Sequence, residues 1–564
     1  MRYLLSHILD RSVEQFPDRD AFRYDGAGLT YAELWRRANG LAQLLVEQGV
    51  QRGDRVGIYL SKSLESAIAL YGIWKAGAAY VPLDPGAPVA RTAYAINHCG
   101  IRHLITQKSK RMRMPELLAA VPGLEFILGL PDSFAPEIAP EIAPETALKT
   151  TLSRCDWSAV FPSDTAPTVP AMEQDLAYIM YTSGSTGTPK GIMHTHRSGL
   201  CYAQMAAHTY GLTPQDRLGN HSPLHFDMST LDYFSGPLVG ATTVIIPEAY
   251  TKVPASLSQL AQDEALTIWY SVPFALIQLL LRGVLEERDL TSLRWVLFGG
   301  EPYPAKYMYA LMEKLPQTRF SNVYGPAEIN QCSYYHVPPL AKGDTIPATV
   351  APIGKIWTNA EEKVLDDQDQ PVAPGEIGEL VVRTPTMMAG YWRQSDLNDL
   401  AFYRCEVAHQ PAVFYRTGDL VQQQSDGNYQ FIGRKDRQIK TRGYRVELDE
   451  VEAALVSHPQ VEEAAAYGVA QAAGSQQVAA AVILKGDTMV EQEKLLRFVA
   501  ERLPSYAVPK AIDVMATFPR TGTGKIDRRA LQTRAQTSET HQSETHQSET
   551  HQTEPPTRPV PAHS

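Results

Sequence analysis

RVGIYLSKSLESAIALYGIWKAGAAYVPL, residues 55–83, decides the fold class. RVGIYL and AAYVPL are apolar runs of strand length, and SLESAIALYGIWKAG between them has the length of a helix. RHLIT (102–106) continues the series. Apolar strands separated by helix-length segments are the signature of βαβ units in a buried parallel sheet. The same rhythm returns at LAYIMYTSG (176–184), ATTVIIP (241–247) and SLRWVLFGG (292–300). The first four-fifths of the chain is therefore predicted to be α/β, a large N-terminal domain of packed β-sheets flanked by helices.

Outward from that stretch the organisation changes twice. Between residues 131 and 170 the tetrapeptide repeat of FAPEIAPEIAPE and its prolines break the rhythm, which predicts a surface insertion or linker. Near Gly433 the charged run GRKDRQIKTRGYRVE ends the large domain, 1–433. The next piece, 434–531, has a pattern of its own. Leu448, Val451 and Leu455 share one helix face, Gln477 to Leu484 reads as a strand, and Leu495, Leu496, Val499 and Leu503 form a second helical stripe. It reads as a small, mobile α+β C-terminal domain on a hinge. Residues 532–564 repeat SETHQ and end in PPTRPVP, a composition that builds no core, and are predicted to be a disordered tail.

Composition narrows the function. At roughly 150 residues per domain, 564 residues allow two to four domains. Hydrophobic residues at 44% and charged residues at 20% are ordinary for a folded protein, and the net charge of −10 argues against a polyanion such as nucleic acid as partner. The five cysteines are scattered without zinc spacing and read as reduced thiols of a cytoplasmic protein. No apolar run reaches the about 18 residues that span a bilayer, so no membrane association is expected. The pair His194-x-His196 and the tail histidines lack a carboxylate at ligand spacing and are not assigned a metal.

The strongest local signal is YTSGSTGTPKG (181–191), directly after the strand-like LAYIM. Thr182, Ser183, Gly184, Ser185, Thr186 and Gly187 offer backbone N–H groups and hydroxyls to phosphate oxygens, and Lys190 adds a positive charge. This reads as a polyphosphate-binding loop. A Walker A loop is disfavoured, because Pro189 stands where GxxxxGK[ST] requires glycine.

The loop resembles the signature of the adenylate-forming superfamily of peptide-synthetase adenylation domains, acyl-CoA ligases and luciferases. The rest of that family's set follows in order: LTYAEL (29–34), KAGAAYVPLDP (75–85), HFDMS (225–229), NVYGPAE (322–328), GELVVR (378–383), YRTGD (415–419), GRKDRQIKTRGYRVE (433–447), LPSYAVP (503–509) and GTGKIDR (522–528). The resemblance implies ATP and Mg2+ as cofactors. It places the adenine against Asn322, Tyr324 and Gly325 and the turn Gly299, Gly300 and Glu301, gives the ribose to Asp419, and gives a ribose and phosphate contact to Arg434. It makes Glu328 the metal ligand, Asp436 the hinge, and Lys525 the catalytic cation that stabilises the pentavalent transition state at the α-phosphate.

It further implies two half-reactions: a carboxylate and ATP give acyl-AMP and pyrophosphate, then the small domain rotates and a thiol takes the acyl group. By the same resemblance the substrate is lined by Phe226, Asp227, Met228, Leu231, Tyr270, Leu297, Gly299, Val323, Gln331, Cys332 and Lys525. A buried Asp227 needs a cationic partner, which favours an amino acid; the alternative is that Asp227 caps a helix. The apolar lining is similar to that of free-standing prolyl-activating enzymes, although polar Gln331 departs from it, so L-proline is expected ahead of valine- or alanine-like substrates. After GTGKIDR no phosphopantetheine attachment motif follows, so a separate carrier protein is expected to supply the thiol. Coenzyme A, and with it an acyl-CoA ligase acting on another small acid, is the alternative.

Overall fold

A computed structural model describes residues 3–131, 133, 152–184, 188–341, 343–347, 350–471, 476–486, 488–520 and 526–536. The Pro-rich repeat, Ser185, Thr186, Gly187, Lys525 and the SETHQ tail lie outside the described residues.

The opening stretch forms the centre of an eight-stranded sheet. Arg55–Ile58 pairs in parallel with Ala79–Pro82 on one side and His103–Ile105 on the other. Helix Leu64–Lys75 crosses between, and every residue from Ser66 to Lys75 is buried. A helix apolar on all sides must be covered all round. A nine-stranded sheet supplies the other cover, with Arg217–Asn220, Thr242–Ile245, Ile268–Ser271, Trp295–Gly299 and Arg319–Tyr324 in its parallel centre. Val56 and Tyr80 of one sheet and Leu218, Ile245 and Leu297 of the other share a single core with Leu41, Leu70 and Trp74 from the helices between them. Helix Tyr31–Glu47 is set by a capping box of Thr30 and Glu33. A third, antiparallel sheet of five strands, including Ile377–Arg383 and Gln410–Gln423, completes the large domain.

Two boundaries differ from expectation. The chain after residue 152 is built into the fold: Ser153–Cys155 pairs with Phe126–Leu128 as an edge strand, and Ser163 N–H donates to the Arg36 carbonyl at 3.0 Å. The Trp157 indole N–H donates to the Thr106 carbonyl at 2.9 Å. At the other end, a helix covers 528–536 and so runs past residue 531.

The small domain holds hairpin Gln438–Thr441/Tyr444–Glu447, helix Leu448–Val456, helix Gln492–Ala500 and a three-stranded sheet. Val451, Leu455, Leu495, Val499 and Leu503 are buried in its own core, while Leu496 packs at the margin. Arg91 pairs with Glu450 across the domains, and both side chains are largely buried. The Tyr444 ring stacks on Tyr506 at 4.1 Å and meets Phe226 edge-on at 5.1 Å.

Candidate active site

The strand ends of the large domain and the hairpin of the small domain enclose a cavity of about 110 Å³. Thr182, Ser183, Phe226, Asp227, Met228, Tyr270, Gly300, Val323, Gly325 and Asp419 line it from one side, and Arg434, Lys440, Gly443, Arg445 and Tyr506 from the other. Strand Leu176–Thr182 leads into the loop expected to bind phosphates, and the antiparallel strand Lys190–Thr195 returns Lys190 beside it. Gly184 is dictated by close approach, since a Cβ there would lie 2.0 Å from the Thr188 carbonyl oxygen. Thr182 Oγ1 is buried and without a hydrogen-bond partner among the described residues. Such a donor is costly unless a ligand satisfies it.

At the nucleotide end, Tyr324 Oη donates to Asp419 Oδ2 at 2.5 Å, and Arg434 Nη1 donates to Asp419 Oδ1 at 2.7 Å. Arg434 also donates through Nε to Asp436 at 2.8 Å, so the expected ribose acceptor and the expected hinge residue share one guanidinium. Asn322 gives its amide to the Pro352 carbonyl at 2.8 Å. Gly299 is required by its neighbour strand, because a Cβ there would lie 2.3 Å from the Val323 carbonyl oxygen. Glu301 holds backbone rather than lining the cavity, accepting from Phe274 N–H at 2.9 Å and from Gly443 N–H of the small domain at 3.2 Å.

Glu328 is fully buried. Arg445 Nη1 lies 3.0 Å from both of its oxygens, Tyr391 Oη donates at 2.8 Å, and Lys190 Nζ stands 3.2 Å away. Burial alone raises a carboxylate pKa; here the charges of Arg445 and Lys190 and the Tyr391 hydroxyl reverse that and hold Glu328 well below the usual range.

The substrate end has the opposite character. Burial raises Asp227 to a pKa of about 6, against which the Met228 N–H, donating at 3.0 Å, and the Lys440 charge act only in part. Asp227 forms no ion pair among the described residues, and the next helical turn, Leu231–Ser235, is not capped by its carboxylate. The cap alternative is thereby removed. Tyr270 and Val323 close this end of the cavity with Met228. Leu231, Leu297, Gly299, Gln331 and Cys332 do not line it. Leu231 and Leu297 belong to the central core, Cys332 N–H donates to the Tyr324 carbonyl, and Gln331 turns its amide to the Tyr210 hydroxyl.

Sequence reasoning singled out neither Lys440 nor Arg445. They are direct partners in the register of hairpin Gln438–Thr441/Tyr444–Glu447, so two cations face each other across two strands. Like charges so placed repel unless an anion lies between them, and that juxtaposition was readable from the hairpin pattern.

The sequence model of the AMP-binding enzyme matches residues 9–392, and that of the AMP-binding enzyme C-terminal domain matches residues 450–525. The chain belongs to the AMP-binding enzyme family. Among relatives of this AMP-binding enzyme is an L-proline–[L-prolyl-carrier protein] ligase of Pseudomonas fluorescens, 32% identical over 94% of this chain and 99% of that protein. A protein of the same name from Streptomyces coelicolor is 34% identical over 89% of this chain and 91% of its own length. Among solved structures, the Vibrio cholerae adenylation domain AlmE in complex with glycyl-adenosine-5'-phosphate superposes with a TM-score of 0.80 at 25% identity, covering 95% of this chain and 98% of that one. No helix among the described residues of this AMP-binding enzyme is long and apolar enough to cross a membrane.

Proposed function

We propose that this enzyme condenses L-proline with ATP to give prolyl-AMP and pyrophosphate, and then transfers the prolyl group to the phosphopantetheine thiol of a separate carrier protein, releasing AMP. The observation that carries the reading is Asp227. A buried carboxylate that forms no ion pair among the described residues, and on which the Lys440 charge acts only in part, gains its partner when an ammonium arrives, and the apolar wall of Met228, Tyr270 and Val323 behind it suits a small compact side chain. The two carrier-protein ligases named above support the choice of proline and of a carrier thiol. Reduced, dispersed cysteines suit a cytoplasmic enzyme.

Tyr324 and Asp419 hold the nucleoside, and the phosphate loop with Lys190 holds the phosphates. Glu328 is the residue that would hold Mg2+, which takes one or two carboxylates and otherwise phosphates and waters. Mg2+ held there would neutralise charge on the phosphates of ATP. Glu328 fits this task as a single buried acidic oxygen donor only when Arg445 is withdrawn from it. Lys525 is assigned the transition-state cation and Asp436 the hinge between 1–433 and the small domain, both from the sequence motifs.

Amino-acid-dependent ATP–pyrophosphate exchange across the proteinogenic amino acids tests the proposal. Strong exchange with L-proline alone is expected. Exchange with aryl or fatty acids and with no amino acid would transfer the protein to the acyl-CoA ligases.

A further inference from the structure

Lys62 is a buried cation that the assigned chemistry does not use. It stands just past strand Arg55–Ile58 of the eight-stranded sheet, yet its ammonium reaches the nine-stranded sheet, where Nζ donates to the Asn220 carbonyl at 3.0 Å and to the His221 carbonyl. Both acceptors are backbone carbonyls rather than carboxylates. Burial drives the Lys62 pKa down to about 7, and the charges of Asp232 and Glu248 oppose this only in part. A lysine sunk this deep against carbonyls costs stability, and what it secures is the position of those carbonyls. Asn220 ends strand Arg217–Asn220, so they open the segment that runs on to Phe226, Asp227 and Met228 in the cavity wall.

The network reaches the far end of the same segment. The Asn220 side-chain amide donates to the Ser222 carbonyl at 3.0 Å and to Asp232 Oδ2 at 2.9 Å. Three consecutive carbonyls, 220 to 222, are thus taken by Lys62 and Asn220, and Asn220 is tied in turn to Asp232 beyond the segment. Between these anchors the chain runs in short turns: Phe226 N–H donates to the Pro223 carbonyl at 3.0 Å, and Thr230 N–H to the Asp227 carbonyl at 2.9 Å. Such turns fix local shape, whereas the place of the segment in the cavity is set where it is anchored. Asn330 holds the exit through Thr230 Oγ1 at 3.3 Å. At the entry Ser222 Oγ donates to Met228 Sδ at 3.7 Å, so the part that Lys62 holds touches the apolar wall directly.

We infer that Lys62 is a positioning residue for amino acid recognition: by holding the Asn220 and His221 carbonyls it sets the base from which Asp227 meets the substrate ammonium and Met228 meets the side chain. Tyr324, Asp419 and Thr182 stand on other strands, so Lys62 governs the amino acid and not the nucleotide. The inference rests on the reading of Asp227 as the partner of the ammonium.

The test is ATP–pyrophosphate exchange by the full-length enzyme, with the KM for L-proline and the KM for ATP measured separately. Lys62→Met keeps the side-chain length and removes the donors. It is expected to raise the proline KM about tenfold, short of the about 100-fold that a misplacement of about 1 Å costs, and to leave the ATP KM unchanged. Lys62→Gln, which keeps a neutral donor and guards against a folding defect in the methionine variant, should raise the proline KM less. A double-mutant cycle with Asp227→Asn supplies the readout that a role in the fold alone would not move. Because Lys62 acts through Asp227, adding Lys62→Met to Asp227→Asn should raise the proline KM little further. An unchanged proline KM in Lys62→Met, an equal rise in the ATP KM, or full multiplication of the two effects in the double variant refutes the positioning role and leaves Asp227 as the anchor. If Asp227→Asn alone leaves the proline KM unchanged, the reading of Asp227 falls and the inference falls with it.

Discussion

Gln331 donates its side-chain amide to the Tyr210 hydroxyl at 2.9 Å, and this bond keeps the polar residue that departs from the otherwise apolar middle of the expected substrate lining out of the cavity. Both residues are buried, so the polarity of Gln331 is spent inside the protein. Gln331→Leu should therefore leave the amino acid preference in ATP–pyrophosphate exchange unchanged. It should cost about 1–3 kcal/mol in urea unfolding, because Tyr210 loses a buried partner. A shifted preference would return Gln331 to the pocket wall.

Asp227 makes a prediction in which stability and activity move in opposite directions. Its pKa rises from 3.8 to about 6 in the folded protein through burial, with Glu328 adding to the shift and Lys440 opposing it. An acid whose folded pKa lies above its unfolded value binds protons more tightly when folded, so stability falls as pH rises from about 4 to about 6. Above that the penalty is fully present. Asp227→Asn should then raise the melting temperature of the ligand-free enzyme at pH 7.5, with the gain vanishing toward pH 4. The same change removes the ammonium partner and should raise the KM for proline by about 100-fold. In the wild-type enzyme that KM should climb as pH falls below about 6. A destabilised Asp227→Asn at neutral pH would mean that the carboxylate has a partner in the free protein.

The parallel sheets were legible because each strand is buried on both faces and so reads as a continuous apolar run, as at RVGIYL and AAYVPL. Ser153–Cys155 was not, because an edge strand of one exposed and two half-buried residues carries no such run. The residues expected around the nucleotide came from motifs in which local spacing sets local geometry, and Thr182, Ser183, Gly300, Gly325, Asp419 and Arg434 among them line one cavity. The lining was less so: Leu297 alternates with Val296 on a strand whose two faces are both buried, and period two alone does not say which face meets a cavity. Arg445 and Glu328 become partners only through docking of one domain on another, which no local pattern encodes.

The Arg91–Glu450 pair joins the domains at a distance from the reacting atoms. Glu450 is buried, and burial raises its pKa even with Arg91 beside it. Arg91→Met leaves that carboxylate without its cation whenever the small domain docks as it does here, a loss of about 3–5 kcal/mol for a fully buried pair and less at this partly exposed one. If the small domain alternates as the family resemblance implies and the docking seen here serves the second step, single-turnover transfer to the carrier should slow while the exchange reaction holds its rate. Equal loss in both reactions would show that the pair serves the fold rather than the docking.

Gly184 tests the phosphate loop by geometry alone. Its absent Cβ would lie 2.0 Å from the Thr188 carbonyl oxygen and 3.1 Å from its carbon, and neither backbone atom moves without the loop moving. Gly184→Ala should therefore displace the segment that follows Ser183 while leaving the cores on either side intact, since no core cluster includes it. Misplacing a phosphate cradle by about 1 Å costs on the order of 100-fold in rate. Exchange at saturating proline should fall by that amount with an unchanged urea midpoint. Proline binding, anchored at Asp227 on a different segment, should persist in the variant when followed by calorimetry. Near-normal exchange in Gly184→Ala would place the phosphates elsewhere in the cavity.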